Sequence, residues 1–358
     1  MERKISEISN LVSKKISSSL LNTNIYISTE NLLPNFGGIT TAASIPDGNV
    51  TAFQENDILL SNIRPYFKKI WFSKFEGGCS NDVLVIRANH DVLNKYLFYA
   101  LNNEDFINYY VASCKGTKMP RGNKDALLDW RIDVPSISEQ QHIVDTIGTI
   151  DDLIEKNQEI TEKIKELRCS MFAHYSESSL DEVNLLELIE LENGAQPPKE
   201  QHIYEEKDGY IRFIQNRDYD SESHLTYIPI SKRNHICSKK DIMMDKYGEA
   251  GAVRYGIAGA FNVALLKITA KNNDMQEYIR DFLSQKKIKD ILYLSSQAST
   301  RPSLNESTFT ALKIPVLSSE QFENYQIKAN SLLEYELQLK NKISKLKSLK
   351  QKLLSKYF

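Results

Sequence analysis

Cysteine is scarce in this chain. Four residues of 358, Cys79, Cys114, Cys169 and Cys237, are scattered without a single CxxC pair. Such spacing excludes a zinc-ribbon framework and points to reduced thiols in a cytoplasmic setting. The six histidines include no pair at i+3 or i+4, which excludes the helical zinc motifs. Long apolar runs are missing too: no stretch reaches eighteen residues, and Met1-Glu2-Arg3-Lys4-Ile5 lacks the apolar segment of a signal peptide. The expectation is a cytoplasmic chain with no metal site of its own.

Catalytic signatures are equally sparse. There is no G-x-x-x-x-G-K-[ST] phosphate loop. Gly248-Glu249-Ala250-Gly251 with Gly256 and Gly259 has the wrong spacing for a dinucleotide fingerprint. Gln196-Pro197-Pro198-Lys199 has neither the leading amide or acid nor the trailing aromatic of an amino-methyltransferase signature. Glu205-Glu206-Lys207 imitates a nuclease metal triplet only in outline, and no nucleophile–base pair can be nominated. The residues point to a binding protein, with no catalytic residues assigned.

What is present is said twice. Val134-Pro135-Ser136-Ile137-Ser138-Glu139-Gln140 returns as Ile314-Pro315-Val316-Leu317-Ser318-Ser319-Glu320-Gln321. Asn56-Asp57-Ile58-Leu59-Leu60-Ser61 aligns with Lys240-Asp241-Ile242-Met243-Met244-Asp245, and Asn81 to Ile86 aligns with Asn262 to Lys267. Tyr96-Leu97 matches Tyr278-Ile279, and Gly116-Thr117-Lys118 matches Ser299-Thr300-Arg301, with offsets held between 180 and 184. A period this long is a duplicated domain and not a solenoid. Length agrees with two domains, and 41% hydrophobic with 26% charged residues is the balance of a globular protein.

Each half reads as strands followed by helices, an α+β unit. Ile58–Leu60, Ile70–Phe72 and Val83–Ile86 in the first half have the apolar runs of buried strands. Ile211–Ile214, Tyr227–Ile230, Val253–Tyr255 and Val263–Ile268 read likewise in the second. Asp91–Asn102 and Asp274–Leu283 have helical spacing, each opened by an aspartate suited to cap it. Long helices follow the two proline phrases, with Ser138 and Ser319 as expected caps. Leu153, Asn157, Ile160, Ile164, Leu167 and Met171 step by four and three, as do Leu332, Tyr335, Leu339, Ile343, Leu346, Lys350, Leu353 and Tyr357. Sustained 4-3 spacing predicts a coiled coil, with Asn157 able to fix its register. Seven lysines and no acid between Leu337 and Phe358 face six acids and four bases between Asp151 and Arg168. Opposite charge suits two helices that pack together. The expected divisions are 1–134 and 179–314 for the globular domains, with helices in 135–178 and 315–358.

Contact chemistry clusters in loops. Asn62 to Lys69 carries Arg64, Tyr66, Lys68 and Lys69, and Lys115 to Lys124 carries Thr117, Lys118, Arg121 and Lys124. The second half offers Arg212, Gln215, Asn216, Arg217, Lys246, Tyr247, Arg254, Tyr255, Thr300 and Arg301. Arg, Asn and Gln read base edges, and Lys and Thr also hold phosphates. Recurrence at corresponding places in both halves favours double-stranded DNA as the partner. The other reading is a coiled-coil assembly scaffold that never touches bases; a stand-alone methyltransferase or nuclease ranks third.

These strings together resemble the specificity subunit of type I restriction–modification systems, over the whole chain. Asp241 to Gly248, running on through Gly259-Ala260-Phe261-Asn262-Val263-Ala264, is similar to the family's target-recognition domain, and so is Asp57 to Tyr66. The phrase from Ile314 to Gln321 resembles the lead-in to its spacer helix. The resemblance implies two target-recognition domains joined by two antiparallel helices, each domain reading one half of a split, asymmetric target. It also implies two methyltransferase subunits and restriction subunits as partners, which would carry S-adenosylmethionine, ATP and Mg. One departure is the first helix end, Arg168 to Tyr175, which is less basic than Lys350 to Tyr357.

Overall fold

The structure, a computed structural model, describes residues 1–116, 118–177, 179, 181–220, 224–297 and 303–358. Two compact units result: Met1–Glu155 with Lys345–Phe358, and Lys156–Ser344. Four helices matter below: α1 (Asn94–Leu101), α2 (Ile137–Ser176), α3 (Gln276–Leu283) and α4 (Ser319–Tyr357).

In the first unit an antiparallel four-stranded sheet runs in the order Ser9–Leu11, Val83–Ala88, Ile58–Ser61, Ile70–Phe72. The second unit repeats it with Ile189–Asn193, Leu265–Ala270, Ile242–Asp245 and Val253–Arg254. Equivalent polar side chains finish the joints in both units. Asn94 Oδ1 accepts the Ala88 N–H at 2.7 Å, and Gln276 Oε1 accepts that of Ala270 at 2.7 Å. Tyr96 donates to the Asp133 carbonyl at 2.8 Å, and Tyr278 to that of Pro315 at 2.9 Å. These are the positions where buried backbone groups would otherwise go without partners.

A second sheet in each unit breaks the symmetry. Its central pair in the first unit, Asn49–Phe53 with Gly77–Cys79, is antiparallel; its counterpart, Tyr210–Ile214 with Gly259–Phe261, is parallel. The flanking strand reverses as well: Tyr26–Ile27 runs parallel to its neighbour, and Ile236–Cys237 antiparallel. One duplicated sheet therefore carries two differently wired additions.

Neither expected aspartate caps its helix. Asp91 and Asp274 lie just ahead of α1 and α3, whose N-caps are Leu93 and Met275. The long helices are capped by Ser136 and Ser318, not by Ser138 and Ser319. Ser136 N–H donates to Glu139 Oε2 at 3.0 Å, and Glu139 N–H returns to Ser136 Oγ at 3.4 Å. Ser318 and Gln321 form the same reciprocal box at 3.2 and 3.3 Å. The repeated phrase is thus an S-x-x-E/Q capping box, which satisfies two orphan amides of a helix start.

α2 and α4 span 40 and 39 residues, about 60 Å each at 1.5 Å per residue. Within the first unit Ile143, Val144 and Ile147 of α2 share one core with Leu354 of α4, α1 and the duplicated sheet. Lys350 pairs with Asp151 at 2.6 Å across the two helices. Within the second unit Phe172 of α2 and Tyr325 and Ala329 of α4 join α3 and its sheet. Lys328 donates to the Tyr175 hydroxyl at 3.0 Å, so the late part of α2 meets the early part of α4 and the pair is antiparallel.

The buried seam of α2 differs from the leucine pattern. Asn157, Thr161, Ile164, Arg168 and Phe172 are buried, whereas Leu153 and Leu167 are 41% and 53% exposed. Ile160 and Met171 are half-buried. On α4, Leu339 is buried and Ile343, Leu346 and Leu353 are half-buried, while Tyr335 is 47% exposed. Leu153 and Leu167 are therefore corrected to the outer face. Polar residues hold the inner one because they have partners there.

Candidate nucleic-acid interface

The two basic loops of the first unit are joined edge to edge. Arg64 N–H donates to the Pro120 carbonyl at 2.8 Å, and Gly122 N–H to that of Asn62 at 2.9 Å. Lys115 and Arg121 close their own small hairpin, with both backbone bonds at 3.0 Å. Beneath them the buried Tyr110 donates to Asn62 Oδ1 at 2.6 Å. Gly122 lies so close that a Cβ there would stand 2.1 Å from the Tyr110 ring. Only glycine permits this approach.

Strain is concentrated at the same turn. Five non-glycine residues among those described have left-handed backbone, and four of them gather here: Asn35, Phe36, Arg64 and Lys68. Arg64 and Lys68 flank the 3₁₀ turn Pro65–Phe67. Asn35 N–H and Phe36 N–H donate to the carbonyls of Phe67 and Lys68 at 2.8 and 2.9 Å, locking the turn in place. Left-handed backbone costs about 1–2 kcal/mol for an ordinary L-residue. Stored cost of this sort collects where geometry serves function.

The charges around the turn differ in availability. Lys68 pairs with Glu104 at 2.6 Å, and Lys69 donates to the Thr29 carbonyl at 2.5 Å. Burial lowers the Lys69 ammonium below its usual range, against a smaller pull from Glu30. Arg121 reaches Asp82 at 3.2 Å but stays exposed, as do Lys118 and Lys124. The buried Nε of Arg64 has no acceptor among the described residues. Tyr66 is 46% exposed and packs against Phe67 in a tilted contact, with centroids 4.7 Å apart. Thr117 lies outside the described residues.

In the second unit the candidate loops at Gln215–Arg217 and Lys246–Tyr247 meet through Asn262–Ala264. Asn262 N–H donates to the Ile214 carbonyl at 3.0 Å, and Lys246 N–H to that of Ala264 at 2.9 Å. This brings Gln215–Arg217 and Lys246–Tyr247 to one end of the sheets. Asp218 ties the first loop by accepting the Gln215 N–H at 2.9 Å. Arg217 and Tyr247 are exposed, while Arg212, Gln215, Asn216 and Lys246 are half-buried. Lys246 donates to Asn193 Oδ1 at 2.7 Å. Thr300 and Arg301 lie outside the described residues.

Arg254 and Tyr255 are half-buried and have partners within the second unit. Arg254 sets Nε and Nη2 on Asp245 at 3.1 and 2.9 Å, and Nη1 on Asp220 at 3.0 Å. Burial, outweighing Arg254, leaves the Asp245 carboxyl above its usual range. The Tyr255 hydroxyl donates to Glu336 of α4 at 2.7 Å. Its ring lies under the Arg280 guanidinium at 4.5 Å and the Lys340 ammonium at 3.8 Å. Burial first, and then Glu336, push the phenol well above its usual range.

Tyr255 opens onto a buried polar network that sequence reading missed. Arg168 of α2 donates to Asp281 and to Glu277 of α3, both at 2.7 Å. Arg280 donates to Glu277 at 2.9 Å, and Tyr325 of α4 to Asp281 at 2.6 Å. The first unit has a smaller version in which the roles trade elements: Tyr99 of α1 donates to Asp151 of α2 at 2.8 Å, and Lys350 of α4 pairs with that acid. Arg168 and Lys350 are 182 residues apart, so they occupy equivalent places in the duplication. Both units thus fix their globular part to the long helices by a tyrosine, an aspartate and a cation.

Comparison with known proteins agrees with this arrangement. The model of the type I restriction modification DNA specificity domain matches twice, at residues 1–166 and 177–350. The HindI specificity subunit of Haemophilus influenzae is 25% identical over 180 residues, which is 48% of this chain and 39% of that protein. The EcoDI specificity subunit of Escherichia coli is 28% identical over 138 residues, 36% of this chain and 31% of its own length. The matched stretches therefore span well under half of these curated relatives. The S subunit of the type I restriction–modification system of M. genitalium shares the fold, with a TM-score of 0.61 at 17% identity over 100% of this chain and 96% of that one. No helix among the described residues is long and apolar enough to cross a membrane. With the family's domain matched twice, on a duplicated sheet whose loops and long helices recur in order, this chain belongs to the type I restriction–modification specificity subunits.

Proposed function

We propose that this chain is the non-catalytic DNA-reading subunit of a cytoplasmic type I complex, and that its two units read different halves of a split, asymmetric target. The observation that carries this is the contrast between a sheet repeated strand for strand and loops that are not repeated. Asn62–Lys69, with its strained turn, stands where the second unit has Lys246-Tyr247-Gly248-Glu249. Two copies of one support holding two different loops suit two different base sequences. α2 and α4, which run through both units, would set the length of the unread gap. Two methyltransferase subunits would dock on this chain and supply S-adenosylmethionine chemistry, and restriction subunits would supply ATP- and Mg-dependent translocation and cleavage. An overall charge of −2 suits such sharing, because partner subunits would contribute much of the phosphate-binding charge.

Arg64 is the candidate base reader in the first unit, and exposed Arg217 in the second. One bidentate arginine contact discriminates bases by about 1–3 kcal/mol. Arg64→Ala should relax one half of the methylated motif and leave the other half and the gap intact. Methylome sequencing of cells carrying the variant and its methyltransferase reads this directly; an unchanged motif would remove Arg64 from the reading surface. A pure assembly scaffold would instead give a complex whose DNA affinity is blind to sequence.

A further inference from the structure

The turn between Arg64 and Lys68 presents two large aromatic rings to solvent, Tyr66 at 46% and Phe67 at 40% exposure. Their rings touch in a tilted arrangement, centroids 4.7 Å apart and planes at 52°, so they form a ridge and not two separate tips. Ordinary turns do not hold aromatic pairs outward at the cost of left-handed residues on both sides. Here Arg64 and Lys68 take that backbone, and Asn35 and Phe36, left-handed themselves, bond the carbonyls at the turn's end. Ridge and neighbours are a rigid construction. The adjoining hairpin adds Met119, 51% exposed, among exposed Lys115, Lys118 and Arg121. Glu104 and Asp82 sit at its margin, each already paired with a cation.

We propose that Tyr66 and Phe67 form an apolar wedge that enters and unstacks one base step of the half-site facing the first unit. The inference rests on the DNA-reading role proposed above. A rigid apolar ridge rimmed by cations fits a stack of bases flanked by phosphates, where side-chain wedges part base pairs and kink the duplex. Among the described residues the second unit has no such pair at the matching place. Its matching stretch is Gly248 to Gly251, with Ala250 buried and Tyr247 exposed alone. Unstacking is least costly at pyrimidine–purine steps, so the half-site facing the first unit should contain one. That half would be chosen partly by how readily it deforms.

The test uses the chain assembled with its methyltransferase subunits and duplexes bearing its methylated motif. 2-Aminopurine is placed at each step of one half-site and then of the other. Away from the methylated bases, which methyltransferases themselves take out of the stack, binding should raise its fluorescence severalfold at one pyrimidine–purine step in the half that Arg64→Ala alters, with no such rise in the other half. Tyr66→Ala with Phe67→Ala should abolish the rise while the complex still assembles and still reads the second half; Tyr66→Phe should keep it. Sequence-specific binding by the unaltered complex with fluorescence flat at every step of the first half other than the methylated base would overturn the wedge and leave DNA reading intact. Loss of assembly in the double alanine variant, with specificity kept by whatever complex forms, would assign the ridge to a protein partner and also overturn it. Absence of any sequence-specific binding would overturn both the wedge and the role it rests on.

Discussion

Arg168→Met isolates the network that fixes the second unit to its helices. The guanidinium is 3% exposed and holds two carboxylates at 2.7 Å each. Methionine keeps most of the length and none of the charge. Glu277 would retain Arg280 at 2.9 Å. Asp281 would keep only the Tyr325 hydroxyl at 2.6 Å and would become a buried anion without a cation. Removing one partner of such a pair costs about 3–5 kcal/mol. The deficit should appear in α3, as opening of its amides to hydrogen exchange about two to four orders of magnitude more often at pH 8.

Its pH dependence follows from Asp281. Burial, outweighing the pull of Arg168, already leaves this carboxyl above its usual range. Without Arg168 it should rise further, so the folded state binds a proton that the unfolded state releases. Stability linked to that proton is present at low pH and lost as pH rises through the folded pKa. The variant's deficit should therefore shrink as pH falls from 8 towards 5. Glu277 moves oppositely in the intact protein: burial pushes it up, but Arg280 and then Arg168 pull it below the usual carboxylate range. A deficit under about 1 kcal/mol at pH 8, or one flat across this range, would refute the reasoning.

Four other substitutions probe separate joints. Gly122→Ala places a methyl into the Tyr110 ring and should separate the two basic loops, weakening reading of the first half-site far more than global stability; methylome and melting measured together check this. Ser136→Ala and Ser318→Ala should each lower stability by about 1 kcal/mol, as loss of a capping side chain does, with the change confined to the first turn of α2 or α4 in hydrogen exchange. Phe172→Ala, in the core where α2 meets α3, should cost about 3–5 kcal/mol by urea titration.

The duplication was legible because its support depends on local signals. Strands such as Ile58–Ser61 and Leu265–Ala270 are short apolar runs between polar turns, and α1 and α3 have clear helical spacing. The loops of the first unit were also legible as clusters of cations with aromatics. Their joining through Arg64 and Pro120 was not, since those residues lie 56 apart and nothing local marks the pairing. Asn157 and Ile164 of the 4-3 spacing are buried, but Leu153 and Leu167 lie outside because the inner face also holds Thr161 and Arg168, each polar and each buried. Arg168 reads as a solvated end residue until Glu277 and Asp281 arrive from more than a hundred residues away. The Tyr255 contact with Glu336 is hidden for the same reason, since 81 residues separate the two. The reversed strand directions of the second sheets leave no trace in hydrophobic pattern, because alternation is the same in either direction.

The central claim is that two units of one chain read two different half-sites. The most direct measurement is the methylated motif in DNA from cells expressing this chain with its methyltransferase subunits. The account predicts one motif in two specified parts, different from each other in sequence and separated by a fixed run of unspecified bases. A single continuous motif, or two halves that are inverted copies of each other, would contradict it.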